Sequence, residues 1–137
     1  MNKYEFVNNG IIDKIVSPVV VDISDYVTNN DSNETYDNAK ALWDTGSTVT
    51  VISSLIVQQL GLIPTDITTI RGFQGTPVKA NTYNIDLWLD DIHIEYIQAI
   101  EGSLTNIDLI LGMDVLCQGA LHITHPNFTT SLVFEKE

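Results

Sequence analysis

The 137-residue sequence contains one cysteine, few basic residues and no long apolar run. Cys117 cannot close an intrachain disulfide or build a cysteine-rich metal site, and such sparse cysteine is typical of a reducing compartment. No segment approaches the roughly 20 apolar residues of a membrane helix. No apolar stretch follows Lys3 in the way that a secretory signal requires. We therefore expect a cytoplasmic protein that does not associate with a membrane.

Positive charge is scarce. Six Lys and Arg residues stand against 18 Asp and Glu residues, which gives a net charge of -12, and residues 80–135 contain no Lys or Arg. Because nucleic acid is bound through clustered cations, this composition argues against nucleic acid as a partner. The acidic field favours neutral or basic ligands, although solubility alone is a sufficient reason for such a charge.

Against these absences, the chain shows a strand-like alternation of apolar and polar residues. Its length corresponds to about one domain. Ile85, Leu87 and Leu89 alternate with Asp86 and Asp90, among others, which is typical of a half-buried strand. In the polar region of residues 29–38, NNDSNET is predicted to be a surface loop, and YDNAKALW, which begins at Tyr36, a strand. We predict an all-β fold, a closed or sandwich-like barrel with one or two short helices.

Local signals predict the helices and one hairpin. In SSLIVQQLGL, Ser53 or Ser54 can serve as N-cap and Gly61 as the C-terminal stop of a short helix. A second helical turn is predicted in MDVLCQG. The pair Asn9-Gly10 lies between apolar runs and predicts an N-terminal hairpin, because both residues tolerate positive φ. We therefore divide the chain into an N-terminal hairpin or extension of residues 1–14 and a domain of residues 15–137.

One carboxylate, Asp44, lies in the motif WDTGS between the apolar segments KALW and TVTVIS. An Asp before Thr-Gly can simply form an Asx turn, and the fragment alone leaves this structural interpretation open. A carboxylate between two apolar strands needs hydrogen-bond donors, however. Thr45, Ser47 and nearby amides can donate, while Gly46 permits a close backbone approach. Such an arrangement would hold Asp44 in one orientation.

The segment WDTGSTVTVIS resembles the active-site loop of aspartic peptidases. The order of DTGS, the helix SSLIVQQLGL, the glycine-bounded GFQG and a late apolar LILG is similar to the retropepsin-like, single-lobe family. The resemblance extends over residues 15–134. It implies a retropepsin-like acid-protease barrel with one lobe per chain, and an aspartic endopeptidase activity that requires no cofactor.

The resemblance also implies roles for residues of the motif. Asp44 matches the catalytic aspartate, and Thr45 matches the threonine that hydrogen-bonds across a two-fold axis to its symmetry mate. Gly46 and Ser47 match the two positions that follow in the catalytic loop.

Two further segments match the family. A structural motif that packs behind the catalytic loop corresponds to Ile110, Leu111 and Gly112. The flap tip, the end of a hairpin that closes over substrate, corresponds to Gly72, Phe73, Gln74 and Gly75.

Peptide hydrolysis by this route needs two carboxylates that share one proton, one acting as base and the other as acid. The sequence has a single DTG. Asp108 and Asp114 lack the Thr-Gly context, and we interpret both as structural, Asp114 as the N-cap of the second helical turn. The second carboxylate is therefore expected from another copy, in a C₂ homodimer that acts on extended peptide or protein segments.

Two alternatives stay open. One is a catalytically silent retropepsin-like module for dimerisation or peptide binding, because a fold does not imply activity; the intact DTGS argues against it. The other is an actin-like phosphate-binding loop, for which the chain is too short. His93, His122 and His125 are too scattered for a metal site, so no metal is expected.

Overall fold

The computed structural model describes residues 2–24, 34–71 and 75–137. Strands make up most of this part of the chain, together with two short α-helices and a 3-10 turn at Pro126–Phe128. The elements are β1 (Lys3–Asn9), β2 (Val16–Ile23), β3 (Thr35–Trp43), β4 (Val51–Ser53), α1 (Ser54–Leu60), β5 (Asp66–Arg71), β6 (Pro77–Leu89), β7 (Ile92–Gly102), β8 (Leu109–Leu111), α2 (Met113–Leu116), β9 (Gly119–Thr124) and β10 (Thr129–Lys136).

Six strands close into a barrel. Their order is β2-β3-β8-β4-β7-β6, and β6 pairs back onto β2. β5 pairs with β6 outside this ring. β8 pairs in parallel with β3 and antiparallel with β4, so the chain just before and just after the WDTGS motif meets at one short strand. The prediction of an all-β barrel with short helices is confirmed.

The barrel interior contains the apolar residues that the alternating pattern of β6 predicts to be buried. Ile85, Leu87 and Leu89 are fully buried, as predicted. Asp86, predicted to alternate toward the polar side, is 2% exposed. It accepts hydrogen bonds from the Tyr96 amide and lies 2.9 Å from His93 Nε2. The β6–β7 pairing shifts register between Ile85 and Leu87. Such a shift changes the direction of side chains, and a simple alternation of apolar and polar residues does not predict it.

The predicted hairpin at Asn9-Gly10 is wrong. Gly10 does adopt a positive φ of 92°, but β1 pairs with β10, whereas β2 pairs with β3 and β6. β1, β10 and β9 form a separate three-stranded sheet. Tyr4 and Phe134, on the inner face of this sheet, belong to the hydrophobic core. Burial of these distant residues together favours the β1–β10 pairing over the hairpin that the local turn signal predicts. The division into residues 1–14 and 15–137 stays a prediction.

The short helices form where they are predicted. Ser53 caps α1, and its Oγ accepts a hydrogen bond from the Ile56 amide, while Gly61 ends the helix in the left-handed conformation. α2 is a single turn whose N-cap is Gly112, so the interpretation of Asp114 as N-cap is wrong. YDNAKALW forms a strand as predicted, within β3. Of the segment NNDSNET, predicted as a loop, residues 29–33 lie outside the described residues and Thr35 already belongs to β3.

We expect Tyr4→Phe to lower the free energy of unfolding by about 1 kcal/mol at neutral pH, because the buried Tyr4 hydroxyl donates to the Pro18 carbonyl at 3.0 Å. Burial, the largest cause, and the charge of Asp90 raise the pKa of Tyr4 above 10.0. The neutral phenol therefore contributes stability that is complete below pH 10.0 and is lost as the pH rises through the higher folded-state pKa.

Urea unfolding of both proteins between pH 8 and pH 11 measures this effect. The deficit of Tyr4→Phe should shrink above pH 10, since the variant has no phenol to ionise. Glu5→Ala, at an exposed position of the same strand, is the control and should unfold like the wild type. A deficit that stays constant with pH would refute the assignment to the phenol.

Candidate functional site

The Asp44 turn begins where β3 leaves the core. Trp43, the last residue of β3, is buried, stacks on Tyr4 with ring centroids 5.8 Å apart, and donates from Nε1 to Ser17 Oγ at 2.7 Å. The Asp44 amide donates to the Leu111 carbonyl at 3.0 Å. The residue that carries the carboxylate is thus held between a packed indole on one side and a barrel strand on the other.

The carboxylate is oriented by its own loop. Asp44 Oδ1 accepts a hydrogen bond from the Gly46 amide at 2.9 Å, and the Asp44 carbonyl accepts one from the Ser47 amide at 3.2 Å. Asp44 is half-buried, whereas Thr45 and Gly46 are exposed. Within the described residues, no hydrogen bond reaches Asp44 Oδ2. The turn that the structural interpretation proposes is therefore present, and it leaves one carboxylate oxygen available.

The segment of Ile110, Leu111 and Gly112 lies beside the Asp44 loop. Leu111 pairs with Trp43 in the parallel β3–β8 ladder, and Ile110 pairs with Val51 of β4. Gly112 lies so close to the loop that a Cβ atom on it would be 2.4 Å from the Val49 carbonyl oxygen. A side chain is excluded here, so the glycine is required by the close approach of two backbone segments.

A hydrogen bond completes the contact on the far side of the loop. The Ser47 carbonyl accepts from the Met113 amide at 2.8 Å, and Ser47 Oγ donates to the Val49 carbonyl at 2.6 Å. Ser47 thus joins the end of the WDTGS motif to the start of α2.

Asp114 has a role at this site that the sequence did not reveal. Its two carboxylate oxygens accept from Thr50, Oδ1 from the hydroxyl at 2.8 Å and Oδ2 from the amide at 3.0 Å. Oδ1 also accepts from the Val115 amide at 2.9 Å. Thr50 is fully buried, so this carboxylate ties the chain after the Asp44 turn to α2. Thr50 lies only six residues after Asp44 in the sequence, but no local pattern there indicates that it pairs with Asp114.

We expect Asp114→Ala to destabilise the protein by about 2 kcal/mol, because the buried Thr50 hydroxyl and amide lose their charged acceptor. Asp108→Ala is the matched control: Asp108 Oδ2 accepts from the Lys40 amide at 2.9 Å at an exposed position, so its loss should cost about half as much or less. Chemical denaturation of the two variants measures the difference. Equal losses would show that Asp114 has no special part in holding the loop.

The segment predicted as flap tip falls mostly outside the described residues. Gly72, Phe73 and Gln74 belong to that part of the chain, whereas Gly75 is exposed with a φ of 79°. β5 and β6, on either side of the segment, pair antiparallel up to Arg71↔Pro77.

The remaining candidates for chemistry are dispersed. His122 and His125 are exposed, and His93 contacts Asp86 on the β6–β7 hairpin. Among the described residues, no group of three or more His, Cys, Asp or Glu side chains is arranged to hold a metal ion. In the same part of the chain, none of the helices has the length and apolar character needed to cross a membrane.

Comparison with solved structures defines the class of the fold. A retropepsin-like aspartic protease from Rickettsia conorii superposes with a TM-score of 0.58 at 16% identity, over 98% of this chain and 94% of that one. EIAV protease complexed with the inhibitor HBY-793 superposes with a TM-score of 0.55 at 17% identity, over 78% of this chain and 88% of that one. The predicted retropepsin-like barrel with one lobe is confirmed.

The family follows from the sequence itself. Residues 33–118, more than half of the chain, match the family model described as "gag-polyprotein putative aspartyl protease". The chain belongs to this family of retropepsin-like aspartic proteases. No curated protein matches the sequence.

Proposed function

We propose that the chain is an aspartic endopeptidase whose active site contains Asp44 from each of two copies, related by a two-fold axis. The observation that carries the proposal is the geometry of the Asp44 turn. A half-buried carboxylate is oriented by the Gly46 amide and leaves Oδ2 free within the described residues, while the turn itself is tied to Leu111 and Met113. This rigidity suits a group that must meet a reacting carbonyl in one orientation.

The need for a second copy rests on the other carboxylates near the loop. Asp114 accepts hydrogen bonds from Thr50 and Val115, and Asp108 accepts from the Lys40 amide. Both serve the fold, so neither is a free partner for Asp44. A C₂ dimer supplies an identical carboxylate without any further residue, because a two-fold axis beside Asp44 places the same group on its other side.

The dyad accounts for the chemistry. Two carboxylates within a few ångströms cannot both ionise, and aspartic-protease dyads in general share one proton. The ionised Asp44 takes a proton from water as the water oxygen attacks the scissile carbonyl carbon, and the protonated Asp44 gives its proton to the carbonyl oxygen. Collapse of the diol, with a proton passed to the amide nitrogen, breaks the C–N bond and yields a carboxylic acid and an amine.

Residues beside the dyad are assigned supporting roles. Thr45 is exposed next to Asp44, where a symmetry mate would meet it, and its hydroxyl is the group proposed to hydrogen-bond across the axis. Gly46 and Ser47 orient the carboxylate and the loop. Ile110, Leu111 and Gly112 support the loop from behind.

The substrate is proposed to be an extended peptide or protein segment held beneath the β5–β6 hairpin, with residues 72–75 as the flap tip. A strand-like substrate can add main-chain hydrogen bonds to a cleft of this kind. The cytoplasmic location belongs to the same proposal and rests on the single cysteine.

The test is cleavage of a diverse pool of synthetic peptides, followed by mass spectrometry, across acidic to neutral pH and at several protein concentrations. We expect cleavage whose rate per chain falls on dilution, as the dimer dissociates. Sedimentation at the same concentrations shows which species is present. A folded dimer that never cleaves would support the silent binding module instead, and cleavage by a strict monomer would refute the shared site.

A further inference from the structure

The indole of Trp43 is held by two aromatic rings and one hydrogen bond. Its Nε1 donates to Ser17 Oγ at 2.7 Å, and both residues are buried. Tyr4 stacks on the indole with the ring planes 21° apart, and Phe134 packs against it at a centroid distance of 5.7 Å and an angle of 52°. A buried ring that packs against two others, with its only polar group bonded, is confined to one rotamer.

Ser17 is a buried polar residue beside these rings. It belongs to β2, is 1% exposed, and its hydroxyl oxygen accepts the indole N–H. An apolar residue would serve packing better at this position, because a buried hydroxyl loses its hydrogen bonds to water. The serine therefore fits a contact that fixes the direction of the indole.

The Asp44 turn is joined to the barrel at its two ends. The bond from the Gly46 amide to Asp44 Oδ1 lies inside the turn, so it orients the carboxylate relative to the turn alone. The position of the turn relative to the barrel depends on the points where the chain enters and leaves it. At the exit, the Met113 amide donates to the Ser47 carbonyl at 2.8 Å.

The entry to the turn combines main-chain bonds with the Trp43 side chain. The amides of Trp43 and Asp44 donate to the carbonyls of Ile15 and Leu111, at 3.1 Å and 3.0 Å. The indole adds a side-chain anchor directly before the residue that carries the carboxylate. Because the carboxylate is fixed within the turn, a rotation at Trp43 would displace Asp44 together with the turn.

We propose that Trp43 is a positioning residue for Asp44, and that its hydrogen bond to Ser17 sets where the Asp44 turn leaves the barrel. Trp43 acts through its neighbour in the chain. The catalytic part of this proposal rests on the proposed peptidase function, whereas the holding of the turn does not. Because a misplacement of about 1 Å can slow catalysis about 10²-fold, a smaller displacement is expected to slow it about three- to tenfold.

The first experiment measures kcat and KM with a peptide selected from the pool. Trp43→Phe keeps an aromatic ring and removes the N–H, while Ser17→Ala removes the acceptor. We expect each to lower kcat about three- to tenfold with KM within about twofold, because Asp44 is displaced and the contacts that bind substrate are kept. The double variant should have about the kcat of either single variant, since both changes remove the same hydrogen bond. Losses that multiply would overturn the proposal.

Thr130→Val is the matched control for the loss of a buried hydroxyl. Thr130 is 1% exposed, and its hydroxyl donates to the Gly10 carbonyl at 3.0 Å and accepts from the Ile12 amide at 3.1 Å, at the end of β10 far from Phe134. We expect this variant to unfold at a lower urea concentration and to keep the wild-type kcat. If it lowers kcat as much as Ser17→Ala does, the effect is general destabilisation and the proposal is overturned.

Hydrogen exchange of single amides, followed by NMR, tests the holding of the turn without any need for catalysis. The Asp44 amide should exchange about three- to tenfold faster in Trp43→Phe and Ser17→Ala than in the wild type, because the entry to the turn opens more often. The Met113 amide, at the exit, is the internal reference and should keep its rate. Unchanged exchange at Asp44 would overturn the proposal.

The two proposals fail in different ways. A wild type that never cleaves, with faster Asp44 exchange in the variants, would refute the peptidase and retain Trp43 as the residue that holds the turn. Cleavage by the wild type, with unchanged kcat and exchange in the variants, would do the reverse. If Trp43→Phe does not fold, as judged by circular dichroism, Ser17→Ala decides both measurements.

Discussion

Replacement of Asp44 by asparagine is expected to reduce peptide cleavage by at least about 10²–10⁴-fold, because the amide can neither take a proton from water nor share one with its partner. The fold should survive. Asparagine keeps the Oδ1 acceptor for the Gly46 amide, and the rest of the turn is held by main-chain bonds to Leu111 and Met113. Cleavage of a peptide selected from the pool, measured beside circular dichroism and sedimentation, separates loss of chemistry from loss of structure.

A mixing experiment tests the shared site directly. If each active site needs Asp44 from both chains, wild type mixed with a threefold excess of Asp44→Asn should retain about a quarter of its activity per wild-type chain, because most of its chains then pair with the variant. Asp13→Asn, at an exposed position remote in sequence from the motif, is the control and should not inhibit. Undiminished activity after re-equilibration would exclude a site made from two copies.

Gly112→Ala is expected to cost at least about 3 kcal/mol of stability and to remove activity with it. The added Cβ would lie 2.4 Å from the oxygen and 2.5 Å from the carbonyl carbon of Val49. Both are backbone atoms of the loop that follows the Asp44 turn, so the loop has to move. Urea unfolding measures the stability, and peptide cleavage measures the displacement of Asp44.

Gly102→Ala is the matched control for this steric argument. Its Cβ would lie 2.9 Å from Val51 Cγ1, the end of a side chain rather than backbone, and Val51 can give way. We expect a cost of about 1 kcal/mol. If the two substitutions destabilise the protein equally, the close approach of Gly112 to Val49 is not what holds the loop.

Much of the fold could be predicted because its signals are local. The Ser53 and Gly61 caps act within one helical turn, and the alternation of Ile85, Leu87 and Leu89 needs no partner to be visible. The errors concern interactions between distant segments. The turn signal at Asn9-Gly10 was real, since Gly10 has positive φ. No hairpin forms there, because β1 pairs with β10 instead, and that pairing buries Tyr4 and Phe134 in one core.

The candidate site divides in the same way. The WDTGS motif predicts an oriented carboxylate, because the Asp, Thr and Gly residues that form the turn all lie within five residues. Asp114 was misjudged as an N-cap, because the hydrogen bonds that define its role come from Thr50, 64 residues earlier. The burial of Asp86 was not predicted for a related reason. Its partners, His93 and the Tyr96 amide, are brought to it by a register shift between β6 and β7.

The sequence by itself determined the strand content, the helix ends and the turn that orients the Asp44 carboxylate, since these depend on contacts between near neighbours. Only the tertiary structure decided which strands close the barrel and what holds the Asp44 turn from behind. The physical reason is that burial is shared among segments far apart in the chain. Which surfaces exclude water together is settled when the whole core forms, and no single segment carries that information.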